Sequence, residues 1–87
     1  MRIIISSNYG FDHNWTLLVN NKSFYLGQDV KFCRRVLGIE PRYIVEQIGS
    51  ANIQDEKVNR KLARFIVKQL GGTKAITNLQ PWELCAE

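Results

Sequence analysis

Residues 52–72 read as one amphipathic helix, which restricts the chain to folds that give such a helix a surface to cover. At about 100° per residue, Val58, Leu62, Phe65, Ile66 and Leu70 fall on one side. Lys57, Arg60, Lys61, Arg64 and Lys68 fall on another, as a continuous basic stripe. Asn52 is placed to cap the N-terminus, with Asp55 and Glu56 in the first turn, where carboxylates complement the helix dipole. Gly71 and Gly72 supply a left-handed exit. The apolar side needs a core; the basic side needs only water or an anionic partner.

The surface to be covered lies in the first third of the chain. Residues 2–7, with Ile3, Ile4 and Ile5 in succession, read as a strand covered on both faces, as a central strand would be. Residues 15–19 and 22–26 read as a hairpin around Asn20-Asn21, since Asn tolerates the positive φ of a two-residue turn. That turn sets Val19 opposite Lys22, Leu17 opposite Phe24 and Trp15 opposite Leu26. Trp15, Leu17, Phe24 and Leu26 then share one face, and Thr16, Leu18, Ser23 and Tyr25 the other.

After a break at Gly27-Gln28, residues 29–37 read as a short helix with Val30, Cys33, Val36 and Leu37 inward. Gly38 ends it. Pro41 opens a second helix, where its missing N–H costs nothing, with Ile44, Val45 and Ile48 inward. Residues 73–80 read as a connector, and Trp82, Leu84 and Ala86 alternate with polar neighbours as in a strand. The expected fold is α+β: a small, mainly antiparallel sheet of about four strands in the order βββαααβ, with three helices on one face. Residues 1–87 form one domain, too short for a second core. The last strand is expected beside the first, and Trp15 and Trp82 are expected to fill the core or its edge.

The net charge of +4 is unevenly distributed. Ten of the twelve Lys and Arg lie between Lys31 and Lys74 against four carboxylates, so that segment carries +6 and the remainder −2. The apolar run after Arg2 ends at Ser6-Ser7, too short for a signal peptide or a membrane span, so a cytoplasmic location is expected. Cys33 and Cys85 are far apart without a C-x-x-C spacing and read as reduced packing residues.

Several chemistries find no support. One histidine and two distant cysteines do not build a four-ligand zinc site, and no phosphate-loop, dinucleotide or H-E-x-x-H motif occurs. No cofactor and no small-molecule substrate is implied. His13 lies between Asp12 and Asn14, and adjacent residues seldom orient one another as a nucleophile, base and orienter must. No catalytic residue is assigned, and the chain is not expected to be an enzyme.

The two short helices around Gly38-Ile39-Glu40 invite comparison with a helix-turn-helix, with Arg42, Tyr43, Glu46 and Gln47 projecting from the second. The fit is loose, because Arg34 stands four residues before the turn glycine, where close crossing favours a small side chain. A pair of helices packed on a sheet produces the same pattern.

The basic stripe is the stronger feature, because phosphate contacts need cations and counterion release and no motif. No aromatic residue falls within that stripe on the helix face, which does not favour base stacking there. The leading expectation is a non-enzymatic binding module. It would dock on nucleic acid or an acidic protein surface through Lys57, Arg60, Lys61, Arg64 and Lys68, joined by Arg34, Arg35 and Arg42. The alternative is a protein-interaction domain, such as a homodimer, inhibitor or adaptor. It would use Leu18 and Tyr25 of the hairpin or Tyr9 and Phe11 of the 8–14 loop, since exposed aromatics favour interfaces.

Overall fold

Three strands, Ile3–Asn8 (β1), Asn14–Val19 (β2) and Lys22–Gln28 (β3), form an antiparallel sheet in the order β1-β2-β3. They belong to a computed structural model that describes residues 2–8, 13–49 and 52–85. The hairpin follows its expected register from Val19↔Lys22 through Leu17↔Phe24 and Thr16↔Tyr25, with Asn20 at φ +56 in the turn. Beyond that point Trp15 pairs with Gly27 and not with Leu26. One extra residue on β3 makes a bulge, and Gly27 at φ +82 takes the left-handed backbone it requires. The glycine therefore bends β3 without ending it, and the strand runs on through Gln28.

β1 is an edge strand and β2 the central one, which corrects the expectation drawn from the three isoleucines. Ile5 is buried, whereas Ile3 and Ile4 are only half-buried. The inner face of the sheet contributes Ile5, Trp15, Leu17, Val19, Phe24 and Leu26 to the core.

Among the described residues four helices, not three, accompany the sheet. Asp29–Phe32 (α1) passes directly into a π-helical turn, Cys33–Leu37, which ends at Gly38 in the left-handed conformation. Phe32 and Cys33 are the buried residues here, while Val30, Val36 and Leu37 are half-buried. The widened turn shifts the inward face from that of a regular helix. Pro41–Ile48 (α2) buries Ile44 but leaves Val45 exposed.

The long helix, Glu56–Gln69 (α3), is shorter than the 52–72 reading. Its N-cap is Asp55, whose carboxylate accepts from the N–H of Lys57 (2.9 Å) and Val58 (3.2 Å). It buries Leu62, Ala63, Ile66 and Val67, and the full burial of a leucine or isoleucine contributes about 1.5–3 kcal/mol each.

Thr73–Thr77 (α4) occupies the expected connector and buries Ile76. The ammonium of Lys22 fixes this end of the chain to the sheet, donating to the carbonyls of Thr77 (3.2 Å) and Leu79. Residues 81–84 are turns, so the fourth strand is absent among the described residues and the final β of the expected βββαααβ order falls with it. Residues 86–87 of that expected strand lie outside the described residues. Leu84 is buried, but Trp82 is 71% exposed and is no part of the core.

Candidate functional site

Burial fixes the orientation of α3. With Leu62 and Ile66 facing the sheet, Lys57, Lys61, Arg64 and Lys68 project from the opposite side within an arc of about 60°. All four are exposed, and none makes an ion pair with a described residue. Arg60 stands to one side and is paired with Glu56 across one helical turn. Such an exposed pair contributes only about 0.3–0.5 kcal/mol and leaves the guanidinium open to an anion.

Arg60 and Arg64 border a groove of about 710 Å³ between the start of α3 and β1, and Arg2 lines its other side. Arg2 was not singled out in the sequence, because only the chain reversal between β1 and α3 brings it there. The same junction is held by Asn59. Its Oδ1 accepts from the Ile5 N–H (2.8 Å), and its Nδ2 donates to the carbonyls of Ile5 (2.7 Å) and Ile53 (3.1 Å).

The other end of the cation row meets α2. Lys68, Phe65 and Tyr43 border one shallow depression of about 280 Å³ with Ile39 as part of its lining. Arg34, Gly38 and Tyr43 border an adjoining one of about 330 Å³. The Arg42 guanidinium lies over the Tyr43 ring at 5.0 Å from its centroid and donates to its hydroxyl at 3.3 Å. Arg34 is paired with Glu40 across the turn, at 3.2 Å. Tyr43 is therefore an exposed aromatic among cations; Arg42 adjoins it in the sequence, but the approach of Lys68 is invisible there because the two belong to different helices. Arg35 is exposed but borders none of these depressions.

The helix-turn-helix comparison weakens on geometry. Its second helix does expose Arg42, Tyr43, Glu46 and Gln47, but its first is four α-helical residues followed by a π-turn.

Of the alternative interface, Leu18 is half-buried and Tyr25 is 39% exposed, both on the outer face of the sheet, where Ile4 pairs with Leu18. Tyr9 and Phe11 lie outside the described residues.

Cys33 is fully buried, and burial followed by the nearby Asp29 carboxylate pushes its thiol up to about 11. That is the reverse of what a nucleophilic thiolate needs. Cys33 and Trp15 also border an apolar cavity of about 220 Å³. Among the described residues no cluster of three or more His, Cys, Asp or Glu is placed to hold a metal ion, and no helix is long and apolar enough to cross a membrane. The chain matches no protein-family model, no curated protein and no solved structure.

Proposed function

We propose that this chain is a small non-enzymatic binding module that docks on nucleic acid through the outer face of α3. The observation that carries the reading is the row Lys57, Lys61, Arg64 and Lys68, exposed together and unpaired with any described residue. A row of fixed cations binds phosphates by releasing their counterions, and it asks for no further chemistry. Arg60, Arg2 and Arg42 extend the positive surface to either side. The test is charge reversal: Arg60→Glu, Lys61→Glu and Arg64→Glu together should abolish binding to DNA or RNA at low salt. Undetectable binding by the unmodified chain, or binding unchanged in the triple variant, removes the proposal.

A second reading, protein association through the outer sheet face, is favoured by one observation. Ile4, Leu18 and Tyr25 stand on a face opposite the one the helices cover. Light scattering tests the homodimer version: a dimer that Leu18→Glu converts to monomer supports it, and a strict monomer at high concentration excludes that version.

A further inference from the structure

The ring of Tyr43 sits where two shallow depressions meet, 45% exposed, on a helix whose next residue, Ile44, is buried. Ile44 anchors α2 and thereby holds Tyr43 outward. Lys68 borders one depression and Arg42 rides on the ring itself. Gln47, one turn further along α2, borders the same depression as Lys68 and offers both a donor and an acceptor. The carboxylate of Glu40, on the other side, is held by Arg34.

We propose that Tyr43 is a base-stacking platform and that the nucleic acid taken by this surface is single-stranded. The inference rests on the docking reading of α3 and adds the class of ligand to it. Stacking needs an accessible π-face, which a single strand offers and a duplex hides between its base pairs. The base lies on Tyr43 beside Ile39 and Phe65, Gln47 reaches its edge, and Lys68 takes the adjoining phosphate. The backbone then follows Arg64, Lys61 and Lys57. From Lys57 to Lys68 the row covers 12 residues of helix, about 16 Å end to end at 1.5 Å per residue. At the stacked spacing of about 3.4 Å per nucleotide, it accommodates roughly five nucleotides.

The experiment measures fluorescence anisotropy at low salt with a labelled dT12 strand, a dA12·dT12 duplex, and inorganic polyphosphate as a base-free competitor. The expected result is tighter binding of the strand than of the duplex. Tyr43→Ala should weaken strand binding roughly tenfold while leaving competition by polyphosphate within about twofold, and Tyr43→Phe should restore the strand affinity. Circular dichroism of each variant checks that the fold is retained. Upfield shifts of the Tyr43 ring protons on strand binding report stacking directly in the unmodified chain. If Tyr43→Ala leaves strand binding unchanged, or weakens polyphosphate equally, the stacking platform is overturned. If the duplex is also bound and lost only on charge reversal of α3, docking stands without stacking. If neither nucleic acid nor polyphosphate binds, both proposals fall together.

Discussion

The side-chain amide of Asn59 in α3 pairs with both backbone groups of Ile5 in the edge strand β1, accepting from its N–H at 2.8 Å and donating to its carbonyl at 2.7 Å. A polar side chain thus does for one residue of the edge what a neighbouring strand would do, and it joins the sheet to the helix that carries the cations. It also satisfies groups that an edge otherwise leaves open to a foreign strand.

Asn59→Ala is expected to cost about 2–3 kcal/mol, from three part-buried backbone groups, the Ile5 N–H and the Ile5 and Ile53 carbonyls, left without this partner at roughly 1 kcal/mol each. For a domain of this size the melting temperature should fall by roughly 10 °C. Asn59→Asp should do no better, because a carboxylate accepts from the Ile5 N–H but opposes the Ile5 and Ile53 carbonyls. Thermal melts and amide exchange at Ile5 check this; a variant that melts with the unmodified chain would show the contact to be energetically idle.

Lys22→Met keeps an apolar stem at this position and removes the ammonium, which lies 5.3 Å from the Phe24 ring centroid and caps the Thr77 and Leu79 carbonyls. Charge-assisted bonds of this kind, partly exposed, contribute about 1–2 kcal/mol. The loss should be local. Amides of residues 76–85 should exchange faster while those of α3 stay protected, which hydrogen exchange resolves residue by residue.

Alkaline pH should destabilise the fold through Cys33. Its ordinary value of 9.0 is raised to about 11 by burial and by Asp29, so the folded chain holds this proton where the unfolded chain releases it. Below pH 9 both states are protonated and the full stability is present. It falls between pH 9 and 11, and the decline from this group ends above 11, a total of about 2–3 kcal/mol. Urea unfolding at pH 8 and pH 10.5 measures it. Cys33→Ala, although less stable at neutral pH, should lack this part of the decline; an identical decline in both chains would assign it to other groups.

What was legible in the sequence was whatever depends on neighbours along the chain. The Asn20-Asn21 turn, the pairing of Leu17 with Phe24, and the opposition of Leu62 and Ile66 to Lys61 and Arg64 all follow from local period and turn chemistry. The failures are tertiary. The alternation of Trp82, Leu84 and Ala86 has the period of a strand, but the segment makes turns, and Lys22 holds the carbonyls just before it. Three isoleucines read as a central strand because nothing local reveals that Asn59 closes the edge beside them. Around the π-turn that begins at Cys33 the buried residues are Phe32 and Cys33, while Val30, Val36 and Leu37 are only half-buried, and no composition rule marks such a turn. At the candidate site the cations of α3 were visible, while Tyr43 and Arg2 reach that surface only through folding.

The most direct measurement of the central claim is the salt dependence of binding to a dT12 strand. If Lys57, Lys61, Arg64 and Lys68 each meet a phosphate, log Kobs should fall with log[NaCl] at a slope of about −3, and Lys61→Ala should make it shallower by roughly 0.7. A slope near zero, or one that Lys61→Ala leaves unaltered, would contradict phosphate docking on α3.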